Sequence, residues 1–276
     1  MEGAAFRPGL REHPGPRSVS RGMTQGWPER LWVVRHGESA GNLARRAAMA
    51  AGGTHIETGG RDADVPLSPL GERQSRALGR WFAALPEAER PEVVLTSPYR
   101  RARQTVALIQ AEGGVVAAPC DILQDERLRE KEFGILDRLT RHGIAQHHPD
   151  QAEFRRLLGK FYHRPPGGES WCDVILRLRS ALDTVSLRHG GARVLIVAHQ
   201  VVVLCLRYLI ENLDEAGIMA IDREGDVANC GVSEYAFDPS RGRDGAPVLL
   251  RWNFVAPLEA EGTPVTAEPD AQAGAR

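Results

Sequence analysis

The sequence predicts an α/β protein with a mostly parallel central sheet. Leu31-Trp-Val-Val34 and Arg193-Val-Leu-Ile-Val-Ala198 are nearly continuous apolar runs, the pattern of strands buried on both faces. Around them lie segments with apolar residues at helical spacing, opened by cap signals such as Ser68-Pro69, Ser97-Pro98 and Ser170-x-x-Asp173. Strands alternating with helices call for crossover connections, and crossovers build parallel sheets.

The first run stops at Arg35-His36-Gly37, where charge, imidazole and a flexible residue arrive together. Ligands of open parallel sheets sit beyond the carboxyl ends of the strands, which makes His36 a candidate nucleophile. Gly37 is expected to let the backbone turn close to a ligand. Residues 43–65 read as a short Ala-rich helix and a long loop with Gly-Gly at 52–53 and 59–60, a candidate lid or rim. The helix opened by Ser68-Pro69 carries Leu70, Leu78, Trp81, Phe82 and Leu85 on one face.

Pro91 to Thr96 reads as a second strand, followed by a helix to about Gln110. Arg100, Arg101 and Arg103 fall in that helix's first turns, against its dipole, so local stability does not explain them. A bound anion does, because a phosphate there gains both the terminal N–H groups and a guanidinium fork. Val115 to Leu123 contains a third strand, and residues 126–137 form a charged turn. Residues 139–162 read as one or two helices bearing His142, His147, His148, Arg155 and Arg156, a polar cap over the crevice. Their histidine spacing does not make the i, i+4 face of a helical metal site.

Ser170 opens a long helix with Val174, Leu178, Ala181, Leu182 and Val185 buried. The run from Arg193 ends in a second histidine, His199, followed by Gln200 and an apolar helix over 201–210; strands at 232–237 and 248–254 complete the sheet. Two buried strands each ending in histidine are much harder to explain by packing than either one alone.

The chain of 276 residues, 42% hydrophobic, can hold one large α/β domain or two small ones. Its net charge of −1 provides no global field for nucleic acid or an anionic membrane. Cys120, Cys172, Cys205 and Cys230 are widely separated, so reduced, buried thiols are expected rather than a zinc site. No continuous apolar run interrupts residues 1–28, and a cytoplasmic protein without signal peptide or membrane span is expected. Residues 1–28 read as a disordered extension; Met23, just before the first strand, leaves open a misassigned start for 1–22. Pro257 to Arg276, rich in Ala, Glu, Gly and Pro, reads as a disordered tail, so the working domain is 29–256.

Arg35-His-Gly-Glu-Ser-Ala-Gly-Asn42 resembles the signature of the histidine phosphatase superfamily, the phosphoglycerate mutase-like proteins. In that family the motif's histidine takes a phosphoryl group onto a ring nitrogen. Further stations follow in family order. Ser97-Pro-Tyr-Arg-Arg-Ala102 is similar to the pattern Ser-x-x-x-Arg-Ala and points to Arg101. Leu128-Arg-Glu-Lys-Glu-Phe-Gly134 resembles Leu-x-Glu-x-x-Phe-Gly, whose glutamate, here Glu130, is the proton donor in many members. His199 stands where the family has its second histidine, and Gly168-Glu-Ser170 before an aromatic residue suggests Glu169 at the site rim. The Ala198-His-Gln200 form is similar to the bisphosphatase branch that acts on fructose 2,6-bisphosphate. Ile135-Leu-Asp-Arg138 replaces the Trp-Glu-Gly that many relatives carry after Phe-Gly.

The resemblance implies a three-layer αβα sandwich and a metal-independent, cofactor-free phosphomonoesterase working through phosphohistidine. The implied catalytic residues are Arg35, His36, Arg101, Glu130 and His199, with Arg35, Asn42, Arg101, Glu169, His199 and Gln200 binding substrate. The partner implied is a small phosphorylated substrate, and a homodimer is a family-level expectation. A mutase that returns the phosphoryl group to substrate, and a phospho-ligand binding protein without turnover, are the alternatives.

Overall fold

The computed structural model describes residues 26–116 and 122–268. Strands β1 (Arg30–Arg35), β2 (Val93–Thr96), β3 (Ile122–Gln124), β4 (Arg193–Ala198), β5 (Val232–Asp238) and β6 (Ala246–Phe254) form one sheet ordered β3-β2-β4-β1-β5-β6. The β3/β2, β2/β4 and β4/β1 pairs are parallel, whereas β5 runs antiparallel to both β1 and β6. The sheet is thus mostly parallel, as predicted, with an antiparallel edge.

The helices are α1 (Ala40–Ala50), α2 (Pro69–Ala83), α3 (Arg100–Ala111), α4 (Arg141–His147), α5 (Pro149–Tyr162), α6 (Trp171–His189), α7 (Gln200–Ile210), α8 (Glu215–Glu224) and α9 (Ala256–Glu259). Side chains alternate across a strand, so each apolar run feeds two cores. Leu31, Val33, Ile196 and Ala198 pack with Val174 and Leu178 of α6 and Val203 of α7. Trp32, Val34, Leu195 and Val197 pack with Leu78 and Phe82 of α2 and Val106 of α3. Three layers result.

The parallel register positions the site. Arg35 of β1 lies opposite Ala198 of β4, so the residues that follow, His36 and His199, leave the sheet side by side. The loop after β1 is then pressed against the first turn of α2. A Cβ on Gly37 would stand 2.5 Å from the Gly71 carbonyl oxygen, and one on Gly71 would stand 1.9 Å from that of Glu38. Close approach of this loop and the α2 backbone is thus a reason of its own for glycine at both positions.

Other expectations also shift. Ser97 does not cap α3, whose N-cap is Tyr99; Ser97 Oγ instead accepts the Tyr99 N–H at 3.2 Å. Part of the stretch expected as the third strand falls outside the described residues, as does Cys120; Cys172 is a half-buried free thiol and Cys205 and Cys230 are buried ones. Trp27 packs against the core and its carbonyl accepts the Gly191 N–H at 2.9 Å, so the domain extends upstream of residue 29. The tail expected to be disordered from residue 257 is ordered through 268, because Leu258 is fully buried in the α2/α3 core. Residues 1–25 and 269–276 lie outside the described residues. Among the described residues no helix is long and apolar enough to cross a membrane.

Candidate active site

His36 is fully buried at the end of β1. Its Nδ1 lies 2.7 Å from the Gly37 carbonyl oxygen, which can only accept, so Nδ1 carries the proton. The lone pair is then on Nε2, where it accepts a hydrogen bond from Arg101 Nε at 3.1 Å. Both contacts demand the same tautomer. The His199 ring stands 5.1 Å from that of His36, centroid to centroid, and its Nε2 lies 2.8 Å from Ser97 Oγ. The main chain behind the motif is held by Asn229, which donates to the His36 carbonyl at 3.1 Å, and by Gln74, which accepts the Glu38 N–H at 2.8 Å.

Arg35 and Asn42 converge on one acceptor. Arg35 donates through Nη1 to the Val227 carbonyl at 2.5 Å and through Nη2 to the Glu268 carbonyl. Asn42 splits its amide. The oxygen accepts the Ser39 N–H at 2.8 Å, closing a capping box at the start of α1, and the nitrogen donates to the same Glu268 carbonyl at 3.2 Å. The cap therefore orients the donor.

Arg101, in the first turn of α3, is almost fully buried. Beyond its bond to His36, Nη1 and Nη2 donate to the Asp62 carboxylate at 3.1 and 3.0 Å, and Nη1 to the Asp62 carbonyl at 2.7 Å. Asp62 belongs to the 43–65 loop, which lines a pocket with Ile56, Thr58 and Asp62 opposite Tyr99, Arg101 and Lys131. The loop also bonds the segment before α4, Ile56 N–H to the Arg138 carbonyl at 2.8 Å and Thr140 N–H to the Thr54 carbonyl at 2.9 Å. Loop and polar cap thus make one wall.

Glu130 is buried, and its Oε1 accepts the Lys131 N–H at 2.8 Å. Lys131, the next residue, lines the pocket beside Arg101. Burial pushes the Lys131 ammonium down to about 8, with the Arg155 guanidinium lowering it further and Glu130 opposing. Glu169 does not reach the pocket rim as expected. It accepts from Arg177 at 2.9 and 3.0 Å, from Arg129 at 2.9 Å and from the Glu132 N–H at 3.1 Å. Burial acts to raise its pKa, but the Arg177 guanidinium, the Glu132 N–H and Arg129 together outweigh that and hold it below the usual carboxylate range. Arg177 also donates to the carbonyls of Arg127, at 2.5 Å, and Glu130, at 3.3 Å, so Glu169 fastens the segment that carries Glu130. Gln200 is buried at the start of α7, where its amide donates to Asp226 at 2.8 Å.

The structure thus brings His36, Arg101 and His199 together and Arg35 and Asn42 onto one carbonyl, with Glu130 next to a pocket-lining residue. Sequence reasoning missed Asp62, Lys131 and the Ser97 contact to His199. Ser97 stood at a fixed position of a motif that could have pointed to it, whereas Lys131 stood at a variable position of the Glu130 motif and Asp62 in none.

The family model of the histidine phosphatase superfamily (branch 1) matches residues 31–254. A probable phosphoglycerate mutase of Photorhabdus laumondii is 29% identical over 212 residues, 76% of this chain and 86% of that protein. Among solved structures, Bacillus stearothermophilus YhfR aligns with TM-score 0.64 and 26% identity, covering 83% of this chain and 98% of its own. A mycobacterial glucosyl-3-phosphoglycerate phosphatase solved with inorganic phosphate shares the fold with TM-score 0.62 and 24% identity, over 83% and 99% of the two chains. With His36 and His199 side by side at the carboxyl ends of the central strands β1 and β4 and the match running from β1 to β6, the chain belongs to the histidine phosphatase superfamily, branch 1, whose members are phosphatases or mutases.

Proposed function

We propose that the protein is a metal-independent phosphomonoester hydrolase that works through a phosphohistidine at His36 on a small phosphorylated metabolite. The observation that carries this reading is the fixed His36 tautomer, with the Nε2 lone pair held beside a buried guanidinium. Nε2 attacks phosphorus. Arg35, Arg101 and the Asn42 amide take the equatorial oxygens, and His199 adds a further donor; phosphoryl transfer depends on this kind of positioned charge. Glu130 protonates the departing alcohol and then accepts a proton from the water that hydrolyses phosphohistidine. Asp62 yields its edge of Arg101 as the phosphoryl group arrives.

Relatives named as phosphatases and as probable mutases support phosphomonoester chemistry in general. We rank hydrolysis above mutase action on the family-level expectation that dependable mutases carry a substrate-binding insertion after the acid, where this chain has a 3-10 turn at Gly134–Leu136, α4 and α5 before α6. The test is phosphate release from p-nitrophenyl phosphate, sugar phosphates and phosphoglycerates in the presence of EDTA, comparing the protein with its His36→Ala variant. Turnover that resists EDTA and disappears in the variant is expected. Isomerised phosphoglycerate without net phosphate release would make the protein a mutase instead.

A further inference from the structure

The chain does not end at the sheet. After Leu258 anchors α9 in the core, Gly262, at φ +60°, turns the backbone, and residues 263–268 run back across the motif loop. Gln74, which holds the Glu38 N–H, also donates to the Pro264 carbonyl at 2.9 Å and to Thr266 Oγ1 at 3.0 Å. Asn229, which holds the His36 carbonyl, donates its N–H to the Thr266 carbonyl at 2.8 Å and accepts from Thr266 Oγ1 at 2.9 Å. Two residues further on, the Glu268 carbonyl takes hydrogen bonds from Arg35 and Asn42. The Glu268 carboxylate accepts from Arg46 Nε at 2.6 Å and pairs with Nη2 of the same arginine, one helical turn after Asn42.

We propose that Thr263–Glu268 is an internal ligand of the phosphate pocket, with the Glu268 carbonyl oxygen standing where a phosphoryl oxygen binds and Arg46 holding it there. The proposal rests on assigning Arg35 and Asn42 to phosphate. A tethered ligand competes at an effective concentration fixed by its tether, and it lowers the apparent affinity of any rival in proportion to its occupancy. The contest is uneven. An amide carbonyl is a neutral acceptor, whereas phosphate makes charge-assisted bonds to the same guanidinium. The tail therefore raises the concentration of phosphomonoester needed for entry without closing the site.

Titration calorimetry with inorganic phosphate reads this directly and requires no turnover. The full chain is compared with a chain ending at Gly262, which keeps Leu258, and with the full-length Glu268→Gln variant, which keeps every backbone contact. The shortened chain is expected to bind phosphate tighter by about threefold or more, and Glu268→Gln tighter by a smaller factor. If the shortened chain fails to fold, the variant carries the test. Binding no tighter in either protein overturns the proposal. Phosphate binding by none of the three overturns the phosphate-pocket assignment, and the proposal with it.

Discussion

Arg101 donates through Nε to the Nε2 atom of His36 at 3.1 Å, so a cation rests on the lone pair of the buried imidazole. One planar group performs two tasks, because its other edge is clasped by Asp62. Lysine is a point charge and cannot do both. Arg101→Lys is expected to lower kcat on p-nitrophenyl phosphate by about 10²- to 10³-fold, the usual cost of losing one positioned donor. A loss below tenfold in a variant with an unchanged melting curve would sink the role given to Arg101.

Asp62 is half-exposed and pairs with the Arg101 guanidinium, so under the proposed mechanism its carboxylate leaves as a phosphoryl oxygen enters. Asp62→Asn keeps the shape and removes the charge. Its expected effect is a KM lower by about three- to tenfold, since an ion pair is exchanged for a hydrogen bond to a neutral acceptor. Steady-state kinetics decides; a raised KM would show that Asp62 orients Arg101 rather than competing for it.

Lys131 is buried, and burial, aided by Arg155, depresses its ammonium to about 8 from an ordinary value of 10.5. Below pH 8 both folded and unfolded chains hold that proton, and the folded chain bears the cost of the buried charge. Between pH 8 and 10.5 the folded chain has released the proton and the unfolded chain has not, so the group's contribution to stability rises with pH. Lys131→Met is therefore expected to be more stable than the parent at pH 7 by on the order of 2–3 kcal/mol, with the gain shrinking toward pH 10. Urea unfolding at pH 7 and 9.5 measures the difference; a gain that does not change between them contradicts the assignment.

Glu169 fastens the segment of Glu130 by way of Arg177, so under the proposed mechanism it acts on the chemistry through the proton donor. Glu169→Gln is expected to cost about 1–3 kcal/mol by weakening a partly buried ion pair. A misplaced proton donor matters most for a poor leaving group. The variant should lose more activity on an alkyl phosphate than on p-nitrophenyl phosphate. Equal losses on the two substrates would reduce Glu169 to a stabilising residue.

Much of this was legible in the sequence for physical reasons. β1 and β4 are apolar on both faces and end in histidines, and their register brings the histidines together without help from any loop. Asn42 was named only through the motif's resemblance, because nothing in the residues announced that its cap would turn the amide nitrogen toward the Glu268 carbonyl. Helix α8 was not legible, because it buries only Ile218 and Asp222 and shows no stripe. Asp62 reaches Arg101 only after its loop has folded over α3, a pairing that no local pattern announces. Glu169 misled because Gly-Glu-Ser looks alike whether the carboxylate faces a ligand or a pair of arginines. The 263–268 stretch contacts the pocket through a main-chain carbonyl, and every residue type carries one.

The close approach of the Gly37-Glu38 backbone to Gly71 carries a consequence for recombination among relatives. Residues 36–42 and 68–74 touch backbone to backbone and share Gln74 as a fastener, so neither tolerates a partner of different contour. A chimaera with a crossover between residues 42 and 68 would join halves never selected to fit. Crossovers after residue 83, where α2 has ended, transfer both pieces as one heritable block.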